Sequence, residues 1–498
     1  MALTLLSRLR RKSTSLFLSP IKRRHLFSLP ETIDEPTSVD PRFLRQASLA
    51  KTRPIDHTPF LRFPEVNVST LSNGIRVVTQ AYPCATGMAS VGVWIDAGSR
   101  FEAAGTNGTA HFLEHLIFKG TKRRTAQSLE EEIENMGAKL NAYTSREQTT
   151  FFADVQSKDI GVAADILADI LQNSTFPVSA INRERGVILR EMQEVQGQVQ
   201  EVIFDYLHLA AFPTQPLGDT ILGPEENIRS ISRNDLERYI STHYTGPRTV
   251  VSAAGGVNHE DIVNKVEKLF TKFSSDSTAA DQLVKAIPAK FIGTDIRVPD
   301  YENPHVHFAI AFEGAGWIDP SSIPVMILQS LLGSWNRNMG VGNCTGSGLA
   351  HRISTSNLAE SMMAFSTNYS DTGLFGVYCS AHPDSLHDLS CVIMEEFRRL
   401  TSDVSEIDVE RARVQLKSAL LLHIDGSTSV AENNGRQMLT YGRVMPFVEL
   451  FARIDAVDAH TVMETAKHFI LNKNIAIAAV GPFEKLPDHS WFRSQTIS

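Results

Sequence analysis

Cysteine is scarce. Cys84, Cys344, Cys379 and Cys391 are the only four in 498 residues. They stand far apart with no C-x-x-C pair, which excludes a disulfide framework and a thiolate zinc site and fits a reducing compartment. No uninterrupted apolar run reaches the ~18 residues of a membrane-spanning helix, so no direct membrane span is expected. Acidic residues are missing from the first thirty positions, where Arg8, Arg10, Arg11, Lys12, Lys22, Arg23 and Arg24 stand among leucines and serines. That is the composition of a mitochondrial transit peptide, and it lacks the long apolar core of a secretory signal. Residues 1–45 are therefore expected to be a transit peptide and flexible lead-in. The whole chain carries a formal charge of −8. Without the basic leader the remainder is more acidic still, a surface that repels nucleic acid and attracts basic partners.

What is present reads as an ordered enzyme-sized chain. Hydrophobic residues make up 42% and charged residues 21%, proportions of a globular protein with a sizeable core. Asn73-Gly74 between the apolar runs of VNVSTLSNGIRVVTQ predicts a hairpin. MASVGVWIDAGSR predicts a strand, TAHFLEHLIFKG a helix ending at Gly120, and IGVAADILADILQN an amphipathic helix. INRERGVILREMQEVQGQVQEVIFDYLHLAAF predicts one long helical stretch loosened at Gly197. The polar segment SSDSTAADQ predicts a linker.

Beyond it the pattern repeats. HVHFAIAFEGAGWIDP, SIPVMILQSLLGSW, MMAFSTNYSDTGLFGVYCSA, LHDLSCVIMEEFRRL, IDVERARVQLKSALLLHIDG and NIAIAAVGP follow the order of six elements in the first half. A repeat this long predicts two like α+β domains. Each is expected to be a mixed, mostly antiparallel sheet with helices packed on one face. The expected boundaries are 60–273 for the first domain, 274–288 for the linker and 289–490 for the second.

One motif carries chemistry. His111-Phe112-Leu113-Glu114-His115 is H-x-x-E-H. Residues four apart on a helix share a face, so the two imidazoles can converge on one Zn²⁺. Glu114 is then left to deprotonate a water on the metal. A catalytic zinc needs a third protein ligand. Glu184 and Glu191 are seven apart on the later helix and nearly aligned. Either they are ordinary acids on a solvated helix face, or Glu191 is the ligand and Glu184 orients a histidine. Where HFLEH stands in the first repeat, residues 323–335 offer no histidine or acid. The second domain is thus expected to be an inactive scaffold.

GTAHFLEHLIFKGT, LNAYTSREQTTF and ILREMQEV resemble the pitrilysin and insulin-degrading family of inverted-motif zinc peptidases. Within it they resemble most the branch holding the presequence-processing peptidases and the core proteins of the cytochrome bc complex. The resemblance covers about 60–490. It implies one Zn²⁺ per chain held by His111, His115 and Glu191, with Glu114 as catalytic base. It implies a heterodimer with a homologous α subunit that lacks the metal motif and carries a glycine tract; NRNMGVGNCTGSGLAHR here is no such tract. It further implies cytochrome bc complex (complex III) subunits as partners, and a place in the mitochondrial matrix, peripheral to the inner membrane. Basic presequence peptides would be the substrates. Glu201 and Asp205 would bind the arginine before the cleaved bond, or are a helix-surface pair. Phe118 would line the pocket for the residue after it, or is a core side chain. Asn141, Ala142 and Tyr143 would form the edge strand that pairs with an extended substrate. The alternatives are a structural core subunit with an idle site, a peptide-scavenging protease, and a presequence receptor without catalysis.

Overall fold

The computed structural model describes residues 63–82, 87–276, 280–339 and 346–497. The expected transit peptide lies outside them, as do Cys84 and residues 340–345 of the glycine-containing loop, Cys344 among them. Twelve strands and seventeen α-helices occur among the described residues.

The first half runs β1 (Val66–Thr70), β2 (Arg76–Ala81), β3 (Met88–Ile95), α1 (Thr109–Leu116), α2 (Ala126–Met136), β4 (Lys139–Thr144) and β5 (Thr149–Gln156). Then come α3 (Ile160–Asn173), α4 (Val178–Gln196), α5 (Val199–Ala211), α6 (Glu225–Ser230), α7 (Arg233–His243), β6 (Thr249–Gly255) and α8 (His259–Leu269). α9 (Ala280–Ala286) leads into the second half: β7 (Asp295–Val298), β8 (Val306–Gly314), α10 (Ser322–Leu332), β9 (Ser334–Asn336) and α11 (Gly348–Thr355). It continues with β10 (Ser361–Asn368), β11 (Gly373–Ala381), α12 (Leu386–Leu400), α13 (Glu406–His423) and α14 (Ser427–Thr440). α15 (Phe447–Asp455), α16 (Ala459–Ile470), β12 (Ala476–Val480) and α17 (His489–Ser494) complete it.

Each half builds one six-stranded sheet, ordered β1-β2-β6-β3-β5-β4 and β7-β12-β8-β11-β10-β9. Five strands correspond: β2-β6-β3-β5-β4 with β7-β12-β8-β11-β10. In both sets the first pair is parallel and the rest antiparallel. β1 pairs with β2 through the Asn73-Gly74 turn, where Gly74 takes φ +90°. The mixed sheets and the six-element repeat are as the sequence predicts.

Two features differ from expectation. The long helical stretch is two helices, broken at Gly197-Gln198. Part of the expected linker is also helical: α9 buries Ala280 and Val284, an i, i+4 pair that gives a short helix one apolar side.

Each half packs its own helices on one face of its sheet, as expected, but the second face is covered too, by a helix of the other half. In the first, Val77, Val91 and Val93 pack with Phe112 of α1 and Ile166 of α3. The opposite face, with Val78, Trp94, Val250 and Ala254, is covered by Ala431 and Met438 of α14, a helix of the second half. The exchange is reciprocal: Ile203 and Leu207 of α5 cover Ala309, Ala311, Leu374 and Ala478 of the second sheet. Strands such as β6 and β11, buried along their whole length, require this double cover. Gly435 makes the approach of α14 possible, since a Cβ there would collide with the indole of Trp94. Ile203 and Leu207 are fully buried, and each contributes about 1.5–3 kcal/mol to joining the halves.

Candidate metal centre

α1 begins at Gly108, whose φ of +102° suits glycine. Its first turn has no side-chain cap from the neighbouring residue. Glu102 supplies one from a distance. Its carboxylate accepts from Gly108 N at 2.8 Å, Ala110 N at 2.5 Å and Asn107 Nδ2 at 2.9 Å. Burial nevertheless pushes its carboxyl up to about 7. The helix is almost wholly buried; His111 is buried, His115 is half-buried, and their ring centroids lie 4.7 Å apart.

α4 crosses α1 and brings both of its acids to the histidines. Glu191 Oε2 lies 3.1 Å from His115 Nε2, and its Oε1 lies 3.7 Å from His111 Nε2. Glu184, nearly buried, places Oε2 3.7 Å from His115 Nδ1, while Lys119 Nζ sits 3.2 Å from its other oxygen. His115 is thus held between two carboxylates, one at each ring nitrogen. Burial works against a charge on His115, but Glu191, Glu114 and Glu184 raise its affinity for a proton overall. His111 and His115 hold Glu191 far below the ordinary carboxylate range.

Ligand atoms of His111, His115 and Glu191 lie within 4.8 Å of one another. Glu191 Oε2 is shielded from solvent yet receives no well-directed hydrogen bond. Three acids around two imidazoles leave an excess of negative charge that a divalent cation offsets. Two nitrogens and one carboxylate oxygen suit a borderline-soft metal such as zinc. The residues present therefore fit a metal ion. Glu114 stands beside this set and is not part of it: its Oε2 accepts a hydrogen bond from Thr144 Oγ1 at 2.6 Å.

The remaining residues named from the sequence are spread around this centre. β4 is the edge strand of its sheet, and it carries Asn141, Ala142 and Tyr143. Tyr143 turns its hydroxyl toward Glu432 of α14 at 3.3 Å. Phe118, just past α1, is half-buried against the core with its ring 6.2 Å from that of Phe151. Glu201 is exposed. Asp205 is not free. Its Oδ1 accepts from Arg146 Nη2 at 2.8 Å and its Oδ2 from Thr220 Oγ1 at 3.0 Å. The helix break at Gly197-Gln198 also puts Asp205 on a different helix from Glu191. Asp205 instead lines a cavity of about 420 Å³ with Met192, Val202, Tyr206 and Asp219.

Four residues of the site escape a reading of the sequence: Glu102, Thr144, Arg146 and Asp219. Arg146 and Thr144 lie in a quoted motif, but nothing in their spacing shows what they face. Asp219 sits in a loop and is recognised only by the cavity it lines, where burial raises its carboxyl.

The first half matches the family model "Insulinase (Peptidase family M16)" over residues 76–225, and the following residues 230–416 match "Peptidase M16 inactive domain". A "Probable mitochondrial-processing peptidase subunit beta, mitochondrial" of Arabidopsis thaliana is 57% identical over 92% of this chain and 86% of its own. The chain belongs to peptidase family M16. The human "Mitochondrial-processing peptidase subunit beta" is 50% identical, over 87% of this chain and 88% of its own.

Among solved structures, a chain of complex III from Candida albicans superposes with TM-score 0.78 at 24% identity, over 87% of this chain and all of its own. A protease from Helicobacter pylori gives 0.74 at 19%, over 84% of this chain and all of its own. Both share the M16 fold. Membership of this metallopeptidase family implies a metal, and the enzyme's candidate ligands all stand in the half that matches the active model. α10 holds the place of α1 in the other half and has no histidine or acid. No helix among the described residues is long and apolar enough to cross a membrane.

Proposed function

We propose that this M16 peptidase is the catalytic, β-type subunit of a mitochondrial presequence-processing enzyme. In this reading His111, His115 and Glu191 hold one zinc ion, residues 60–273 form the peptidase domain, and 289–490 form the inactive domain beyond the 274–288 linker. The observation that carries it is the meeting of Glu191 with both imidazoles while Glu114 stays outside the ligand set.

Zinc held by these three ligands would supply Lewis acidity, the chemistry that acidifies water and polarises a carbonyl. Thr144 occupies one oxygen of Glu114, and the other takes the proton of the attacking water and delivers it to the leaving amine. Glu184 orients the His115 ring through Nδ1. Asn141 to Tyr143 offer an unpaired strand edge to an extended peptide, a backbone interaction that tolerates many sequences. Glu201 and the acidic cavity around Asp205 receive the arginine of a basic presequence, and Phe118 faces the residue after the cleaved bond.

The partner in this reading is a homologous α-type subunit. The enzyme lies in the mitochondrial matrix and also serves as a peripheral core subunit of complex III. Support comes from the relatives' identity across nearly the whole chain and from the basic, acid-free leader. Purified alone, the chain should cleave a basic presequence peptide poorly and gain activity with an α-type partner. High activity of the single chain would remove the heterodimer. Metal analysis should find one zinc per chain, lost in His111→Ala. Native co-purification with mass spectrometry would show whether complex III subunits accompany it.

A further inference from the structure

We propose that Ser370 and Asp371 of the inactive half are positioning residues for Glu114, acting through the turn that follows Thr144. The turn Ser145-Arg146-Glu147 joins β4 to β5. Its counterpart in the second half, between β10 and β11, carries Tyr369, Ser370 and Asp371. The two equivalent turns meet. Glu147, 5% exposed, accepts from Ser370 N at 3.0 Å and from Ser370 Oγ at 3.0 Å. It also accepts from Arg100 Nη1 at 2.6 Å. Arg100 in turn grips Asp371 with two hydrogen bonds, Nη1 to Oδ1 at 2.7 Å and Nη2 to Oδ2 at 2.8 Å. The backbone of the same segment ties to the turn, Ser99 N to Ser145 O and Arg100 N to Arg146 O.

The Arg100–Glu147 pair is buried, and the Arg100–Asp371 pair at its more exposed end is bidentate, an arrangement with a sharp geometry. It fixes the end of β4 from one side, and the residue at that end is Thr144. Thr144 is paired with Thr149 in the sheet, and its hydroxyl holds Glu114 at 2.6 Å. A half with no metal ligand thereby contributes to the placement of the catalytic acid. Small displacements of a proton acceptor are costly, because proton transfer requires hydrogen-bond distance. Ser370 and Asp371 touch neither substrate nor metal ligand; their effect passes through Glu147 and Thr144.

This inference rests on Glu114 being the base. The test uses the full chain assembled with its partner subunit and a basic presequence peptide. Thr144→Val should lower kcat about tenfold or more with KM unchanged, and Thr144→Ser should restore most of it. Asp371→Asn should lower kcat severalfold, again at constant KM, and Ser370→Ala should do so more weakly while disturbing the fold less. In the Thr144→Val background Asp371→Asn should have little further effect, since both act on one acid. Additive losses, a rise in KM alone, or a lower melting temperature with unchanged kcat would overturn the proposal. Glu114→Gln is the control. If it retains cleavage, the functional reading fails and the inference with it; if it is inactive and the Asp371 variant is not impaired, only the inference fails.

Discussion

The guanidinium of Arg146 lies 2.8 Å from the carboxylate of Asp205, and Arg146 is itself buried. An acid expected to serve a substrate arginine is therefore already paired with an internal one. Glu201, exposed a turn earlier on α5, has no such tie. The two should separate on mutation. Glu201→Gln should weaken cleavage of arginine-containing peptides and leave stability unchanged. Asp205→Asn should also lower the unfolding free energy, by about 1–3 kcal/mol, because it strands a buried cation. Paired kinetics and denaturant titrations of both variants measure this, and equal stability loss in the two would contradict it.

Glu114→Gln keeps the volume and the hydrogen bond to Thr144 but removes the base. Cleavage should fall by about 10²–10⁴, while zinc content and peptide binding stay near those of the parent. A peptide-cleavage assay with metal analysis on the same sample checks it.

Glu184 reaches His115 at Nδ1, on the side of the ring away from Glu191. Glu184→Gln should leave all three ligands in place yet weaken zinc by about 10–100-fold. Competition with a chelator reads this directly. Removing zinc from the parent should abolish cleavage, and adding it back should restore it.

His243 Nδ1 accepts from Arg248 Nη1 at 2.8 Å, and Tyr239 and Tyr244 pack nearby. Burial, with Arg248 beside it, depresses its pKa from 6.5 to about 4. The folded chain thus refuses a proton that the unfolded chain accepts below pH 6.5. His243 contributes stability that is complete above pH 6.5 and is lost as pH falls toward 4, about 3 kcal/mol in all. In urea titrations at stepped pH, His243→Gln should flatten the profile across that window relative to the parent.

Gly435→Ala should drive a methyl group into Trp94 and push α14 off the first sheet. A loss of about 1–3 kcal/mol is expected, visible as a lower melting temperature and a change in tryptophan fluorescence. An unchanged melting temperature would mean that the sheet face tolerates a wider gap.

The repeat was legible because strand and helix periodicities recur in one order, and such local patterns survive in any packing. The pentad was legible because its geometry is local too: residues 111 and 115 share a face on any helix. Helix exchange was not legible. Ile203 and Leu207 announce an apolar face, as do Ala431 and Met438, but an apolar face does not say which sheet it will cover. The break at Gly197-Gln198 was marked by a glycine but not by its consequence, a new direction for α5. Asp205 lies beyond that break, so helix periodicity could not show that it would face Arg146 and Thr220.

The sequence by itself determined the fold class, the two-fold repeat, the pair of histidines on one helix face and the lack of a second such pentad in the other half. These depend on residues close together along the chain. Tertiary structure alone decided that Glu184 and Glu191 sit at opposite nitrogens of His115, that Glu102 caps the histidine helix, and that Asp371 reaches Arg100 across 271 positions. Partners so remote are brought together only when hydrophobic burial fixes how the layers stack, and no local pattern encodes that stacking.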